Sequence, residues 1–387
     1  MKITDVDTVV CDAGMRNWVF VRVRTDQGLV GWGEASTEWR THSIVGAVRD
    51  FVPLLIGEDP YRIEHLWQKL FRQQFWKGGV ITMSALSGID QALHDLKAQA
   101  LGVPLYELLG GRVRDRIRLY DHLGGGDPDA VYGALSAERF ADSARRSVEA
   151  GFDAVKVLAV PMGAGLPSGA ALRTTDRVMA AVRDAVGDEV EIMIDLHGRC
   201  TPAAAIAFAG VLRPYRPWFL EEPCQPELVE ELPGIAAGAG IPIALGERLS
   251  GRGEFLRVLR TGAVAVLQPD VCHCGGLSEL RRIAGLAEAF GVTLAPHNPL
   301  GPIATAHNLH FAMATSNWLI QEQMRAAAPI WDDILTTPLE FADGYAVPPP
   351  GVGLGTAVNE AVAAAHPGTE TEVQLSTRLP DGSLCDW

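Results

Sequence analysis

From about Arg116 onward the sequence alternates short apolar runs with longer stretches of helical periodicity, and this constrains the fold more than any other feature of the 387 residues. The strand-like runs are Ile117–Tyr120, Ala154–Leu158, Glu191–Asp195, Trp218–Glu221, Ile243–Glu247, Ala265–Gln268, Thr293–His297 and Trp318–Gln321. Helical patterns such as Ser136–Glu149, Asp176–Val186, Leu277–Phe290 and Ile303–Ala314 lie between them. Strands separated by helix-length connections do not pair as hairpins, so they are expected to lie parallel in one sheet. Eight in succession predict closure into an α/β barrel, a fold that absorbs roughly 250 residues as one domain.

The first hundred residues follow other rules. Val19–Thr25 alternates, Asp26-Gln27-Gly28 offers a turn and Leu29–Gly33 returns, which predicts an antiparallel hairpin. Helices are expected at Ser43–Leu55, Tyr61–Gln74 and Met83–Leu101. The third sets Leu86, Ile89, Leu93 and Leu96 on one face and stops before Gly102. A meander followed by helices is an α+β unit. Near the other end, Pro348-Pro349-Pro350-Gly351 leaves the barrel pattern, and the sequence closes on an isolated Trp387.

Charge and targeting narrow the function classes. The 33 basic and 47 acidic side chains leave a net charge of −14 with no basic stripe, which argues against nucleic acid and anionic membrane surfaces as partners. Met1–Val10 carries Lys2, Asp5 and Asp7 and lacks the apolar core of a signal peptide. The longest near-apolar stretch, Gly234–Gly246, has 13 residues and is too short to span a bilayer. The six cysteines (Cys11, Cys200, Cys224, Cys272, Cys274, Cys385) are too sparse for a disulfide framework, so a cytoplasmic location is expected.

Ionisable residues recur at the carboxyl ends of successive predicted strands: Asp195, Glu221, Glu247, Asp270, His297 and Glu322, at separations of 26, 26, 23, 27 and 25 residues. Each separation is about one strand–helix unit, and strand ends in a barrel converge on one mouth. Asp195, Glu221 and Glu247 each end an apolar run, where a carboxylate is costly unless a cation compensates it. Single carboxylates here often cap helices. Three in register instead predict a shared metal ion, and an all-oxygen set that leaves room for a chelating substrate suits one Mg²⁺.

The neighbouring groups read as acid/base chemistry. Asp270 is placed to fix and strengthen His297 as a base. His197 shares the face of Asp195 if that strand runs two residues further. Lys156 is a charge inside a barrel strand; a surface face is the plain alternative, and an inward lysine would bind a carboxylate or act as base, whereas Leu158 on the same face is inert. Cys272-His273-Cys274 lacks a second ligand pair for zinc and reads as loop packing. Gly124-Gly125-Gly126 is only loop-like and follows no phosphate-binding pattern, and His94 reads as a helix residue that packs or faces solvent.

Together these residues resemble the enolase superfamily, in its mandelate racemase subgroup. The likeness rests on Ala85–Lys97, Pro104–Gly111, Glu221-Glu222-Pro223, Gly246-Glu247 and the Asp270/His297 dyad. Asp195-Leu196-His197-Gly198-Arg199, His297–Ala304 and Ile320–Gln323 are similar to the branch that dehydrates D-galactonate. The resemblance implies a modified (β/α)7β barrel over residues 114–334 and an α+β capping domain from residues 1–113, with a C-terminal segment, 335–387, returning to it.

It also implies that the first glutamate of Glu221-Glu222 is the metal ligand, and it implies a homo-oligomer. The expected reaction is Mg²⁺-dependent dehydration of an aldonate. His297 takes the C2 proton, Lys156 and a protonated Glu322 stabilise the charge formed, and His197 protonates the leaving 3-hydroxyl. A 2-keto-3-deoxy acid results. Racemases of the subgroup carry a second lysine where Leu158 stands, which counts against the alternative of an acid-sugar epimerase or cycloisomerase. A non-catalytic barrel is the remote alternative. Arg16, Trp18, Glu38, Trp39 and Arg40 are candidates to meet distal hydroxyls.

Overall fold

The computed structural model describes residues 1–124, 135–163, 165–324, 328–370, 372, 377–379 and 381–386. It opens with an antiparallel sheet of β1 (Ile3–Asp12), β2 (Asn17–Thr25) and β3 (Val30–Glu34), so the expected hairpin gains a partner strand ahead of it. Strand periodicity divides β2 between two cores. Val19, Val21 and Val23 pack with helices α1 (Thr41–Leu55), α2 (Ile63–Arg72) and α3 (Val80–Leu101), while Trp18 and Phe20 face the core of the barrel. The sheet lies so close to α3 that a Cβ at Gly33 would stand 2.0 Å from the carbonyl oxygen of Gly88. Helix α3 ends at Gly102 in the left-handed conformation, as its sequence predicts.

After the short α4 (Leu105–Leu108) the strand–helix units begin: β4 (Ile117–His122), α5 (Ala137–Glu149), β5 (Ala154–Val157), α6 (Gly169–Val186), β6 (Glu191–Asp195) and α7 (Pro202–Leu212). They continue through β7 (Leu220–Glu221), α8 (Leu232–Ala239), β8 (Ile243–Leu245), α9 (Arg252–Leu259), β9 (Val264–Leu267), α10 (Gly276–Ala289), β10 (Thr293–Leu294), α11 (Pro302–Met313) and β11 (Gln321–Gln323). Strands β4 to β10 form one parallel ladder, and β11 returns to pair parallel with β4. The ring closes where Leu294 N donates to Asn317 O at 2.9 Å and Leu319 N donates to Leu294 O at 2.7 Å.

A hairpin of β12 (Phe341–Ala342) and β13 (Tyr345–Ala346) lies antiparallel on the start of β4. The last helix, α12 (Glu360–Ala365), lies against β1. Residues beyond it bind the first sheet, with Asn17 and Thr369 exchanging hydrogen bonds at 2.9 Å in both directions. Gly125, Gly126 and Trp387, noted in the sequence, lie outside the described residues. Among the described residues no helix is long and apolar enough to cross a membrane.

The barrel interior holds one apolar layer. Tyr120, Ala154, Met193, Phe219, Ala244, Val266, Ala295 and Ile320, one from each strand position, form a buried cluster. Side chains alternate along a strand, so the residue two places on from each points to the same interior. Those residues are His122, Lys156, Asp195, Glu221, Gly246, Gln268, His297 and Glu322. The apolar layer is a floor, and the layer above it is polar at seven of its eight positions. At the eighth, Gly246 has φ +153°, and a Cβ there would meet the backbone of Gln268 at 2.8 Å.

Buried carboxylates of the N-terminal unit tie it to the mouth of the barrel. Glu34, fully buried, accepts Gly301 N at 2.7 Å, Ala304 N at 2.9 Å and Ser36 Oγ at 2.6 Å. It thereby caps α11 from another part of the fold and fixes the loop that follows His297. Burial pushes the Glu34 carboxyl up to about 7 against the pull of these hydrogen bonds. Asp90 similarly accepts Ser278 N at 2.9 Å and Ser278 Oγ at 2.6 Å. Glu34→Ala strands the two helix N–H groups, so it should lower unfolding free energy by about 1–3 kcal/mol. Urea denaturation measures this, and an unchanged midpoint would show that the cap bears no weight.

Candidate active site

Five residues of the polar layer, His122, Lys156, Asp195, His297 and Glu322, line one cavity of about 590 Å³, bounded above by the loops at Met15–Arg16 and Thr37–Arg40. Asp195 ends β6 and Glu221 ends β7, paired in register, and Glu247 follows Gly246 beyond β8. Ligand oxygens of these three carboxylates lie within 4.8 Å of one another. Lys156, 1 % exposed on β5, reaches Glu221 Oε1 at 2.9 Å, Glu322 Oε1 at 2.7 Å and Asp195 Oδ2 at 3.9 Å. Its Nζ also stands 5.5 Å from the centre of the Tyr120 ring in the floor below.

Burial acts to lower Lys156, but the carboxylates of Glu221 and Glu322 outweigh it and hold the ammonium charged. One ammonium does not balance the whole cluster. Burial, reinforced by Asp195 and Glu322, raises the Glu221 carboxyl to about 8 despite Lys156. Glu247 is raised well above the usual carboxylate range by burial and by Glu222. Asp195 goes the other way, since Lys156 and His197 overcome its burial. Glu221 Oε2 is buried with no hydrogen-bond partner among the described residues. An orphaned carboxylate oxygen facing two further carboxylates is what a hard cation with oxygen ligands satisfies, so the acidic triad fits a metal site.

His297 extends the cluster. Its Nδ1 lies 2.7 Å from Asp270 Oδ2, and its Nε2 is 3.6 Å from Glu247 Oε2. Burial lowers its affinity for protons, but Glu247, Asp270 and Glu322 raise it well above the ordinary imidazole value. Positive charge placed among those carboxylates acts against that rise and favours the neutral, basic imidazole. Asp270 is itself fixed by Cys272 N at 2.6 Å, so the intervening loop orients the dyad.

The structure brings Asp195, Glu221, Glu247, Asp270, His297, Glu322, Lys156 and His197 to one mouth, with differences in local detail. The strand does not continue to His197. It stops at Asp195, and His197 turns in left-handed backbone (φ 54°) with its N–H on Asp195 Oδ1 at 2.6 Å. The side chain still lines the cavity. Burial, aided by Arg199, Arg248 and Lys156, lowers its pKa to about 3 and leaves it neutral among the protein's own charges.

Glu322 departs from the protonated state expected of it. Lys156, His297 and His122 overcome its burial and hold the carboxyl down to about 2, and Oε2 accepts Asn298 N at 2.7 Å. Glu222 turns away from the triad (φ 40°) and takes Arg248 Nε at 2.9 Å, so the adjacent glutamates have separate partners. Trp18 stands apart from the cavity, packed against Trp331 with ring centres 5.7 Å apart, whereas Arg16, Glu38, Trp39 and Arg40 line it. Leu158 lines it too.

The sequence reading missed His122, Gln268 and Arg248. The first two follow from counting two residues beyond the apolar floor on every strand, a signal that needs the strand register first.

Residues 139–362 match the enolase C-terminal domain-like family model, and residues 4–110 match the N-terminal domain of mandelate racemase / muconate lactonizing enzymes. The chain belongs to this family of the enolase superfamily. Among its relatives, the D-galactonate dehydratase of Pectobacterium atrosepticum is 39 % identical over 395 aligned positions, covering all of both chains. The D-galactonate dehydratase of Ralstonia nicotianae is 40 % identical with the same coverage. A crystal structure of a mandelate racemase/muconate lactonizing enzyme from Jannaschia sp. CCS1 superposes with a TM-score of 0.89 at 33 % identity, covering 96 % of this chain and 99 % of that one.

As in any site of buried ligands, metal binding should appear as stability. Mg²⁺ at a hundredfold excess over its Kd should raise the unfolding free energy by about 2.7 kcal/mol. Asp195→Asn should lose most of that gain in a thermal-shift titration. An equal Mg²⁺ response in the variant would place the ion elsewhere.

Proposed function

We propose that this enolase-superfamily protein is a Mg²⁺-dependent acid-sugar dehydratase, a hydro-lyase acting on an aldonate such as D-galactonate to give a 2-keto-3-deoxy acid. The observation that carries this reading is the His297–Asp270 dyad at 2.7 Å, with the other imidazole nitrogen facing the acidic triad. The full-length relatives named D-galactonate dehydratase support the substrate class.

Asp195, Glu221 and Glu247 would hold the ion, which when bound supplies positive charge to the substrate carboxylate and acidifies its α-proton. His297 accepts the C2 proton at Nε2 while Asp270 keeps Nδ1 protonated and the ring in place. Lys156, fixed by Glu221 and Glu322, donates to the carboxylate oxygen on which charge develops. Glu322 serves as an ionised partner that orients Lys156 and the Asn298 backbone, replacing the protonated role expected from sequence.

His197 protonates the departing 3-hydroxyl. That imidazole is neutral among the protein's own charges, so it would take a proton from solvent as the anionic substrate binds beside it and pass it to the hydroxyl, which leaves as water. The enol left behind tautomerises to the ketone. Leu158 offers no base on the opposite face, which argues against epimerisation.

The two histidines separate by isotope exchange. In D₂O, His297→Asn should lose both C2 deuterium incorporation and dehydration, by at least about 100-fold. His197→Asn should lose dehydration while C2 exchange persists. Normal C2 exchange in the His297 variant would remove it as the base.

A further inference from the structure

The cavity has two ends of different character. The barrel end carries the acidic triad, Lys156 and the two histidines of the proposed chemistry. The opposite wall comes from the N-terminal unit, where Arg16 and Glu38 face the cavity as an ion pair. Arg16 is 7 % exposed, and the Glu38 side chain is 22 % exposed. Burial pushes Glu38 up, but Arg16, His273 and His297 outweigh it, so Glu38 stands ionised.

Among the described residues, three of the four lysine and arginine side chains that line the cavity are matched by protein anions. Lys156 is held by Glu221 and Glu322, Arg248 by Glu222 with Gln225 at 2.9 Å, and Arg16 by Glu38. Arg40 is exposed at the rim and donates to the carbonyl of Trp39 at 3.1 Å.

We propose that the Arg16–Glu38 pair is a specificity gate, selecting acid sugars whose far end is a neutral hydroxyl and rejecting those that end in a second carboxylate. The inference rests on the dehydratase reading above, which seats the reacting carboxylate among Lys156, His297 and the acidic triad. The remaining carbons then run toward the N-terminal wall. A hydroxyl both donates and accepts, so it satisfies Glu38 and Arg16 together. A carboxylate only accepts. It meets the like charge of Glu38, and the Arg16 charge that would attract it is already neutralised by that carboxylate.

The test uses sugar acids matched at C2 to C5, D-galactonate with galactarate first, followed by other aldonate–aldarate pairs. The wild-type enzyme with Mg²⁺ should favour the monoacid in kcat/KM by at least about 100-fold, and Glu38→Gln should shrink that preference by at least about tenfold. Arg16→Met leaves Glu38 unneutralised and should widen the preference. Ligand-free unfolding midpoints check that each variant folds.

Equal wild-type turnover of both members of a pair, or an unchanged ratio in Glu38→Gln, overturns the gate and leaves the dehydratase reading standing. If no pair yields a 2-keto product, the dehydratase reading fails. Thermal stabilisation by monoacid against diacid then still decides the gate: a wild-type preference relaxed in Glu38→Gln supports it, and equal or absent stabilisation overturns it. Should Glu38→Gln fail to fold, a wild-type preference that widens in Arg16→Met supports the gate, and one that does not widen overturns it.

Discussion

The structure turns on the neutralisation of buried charge above an apolar floor. Eight side chains from Tyr120 to Ile320 fill the barrel, and the layer resting on them is walled off from below by these buried groups. Carboxylates in such a place must be paired, and Lys156 is the cation the chain supplies, touching Glu221 and Glu322 and lying near Asp195. Even so, burial and the neighbouring carboxylates raise the carboxyls of Glu221 and Glu247. That unmet requirement makes the layer a place for a cation and for chemistry, rather than a second plug of core.

The N-terminal unit serves the same site through a separate set of buried carboxylates. Glu34 caps α11, Asp90 holds the start of α10, and Asp95 accepts Trp32 N at 3.0 Å and Leu354 N at 2.8 Å. Each spends its charge on backbone N–H groups or a hydroxyl from a distant part of the chain, which a flexible interface would not retain. The loop after His297 and the loops bearing Arg16 and Glu38 are therefore fixed to one frame. Among the described residues five non-glycines have positive φ, and two of them, Trp39 and His197, line the cavity. Strained backbone persists where its surroundings over-determine it, as in a preformed site.

Much of this was legible in the residues. The strand–helix alternation forecast the barrel, and the period of the ionisable residues forecast a shared mouth. The helix of Leu86, Ile89, Leu93 and Leu96 was recognisable from its own spacing. These are local signals, set by the periodicity of an α-helix or a strand and by the cost of ending an apolar run with a charge. The edges of short strands were less legible: β7 and β10 have two residues each, too few for any pattern, and they are defined by their neighbours' hydrogen bonds.

Residue order alone dictates that acidic groups, a lysine and histidines recur at barrel strand ends, because repetition in a chain becomes convergence in a closed sheet. Which partner each one takes was left to the folded chain. Folding turned Glu222 to Arg248 while Glu221 joined the triad, set His197 in a turn instead of a strand, brought Glu322 beside Lys156, and buried Trp18 away from the cavity. Those outcomes depend on strand register and on charges brought together from far along the chain. Electrostatic pairing acts through space, and a linear string of residues does not record it.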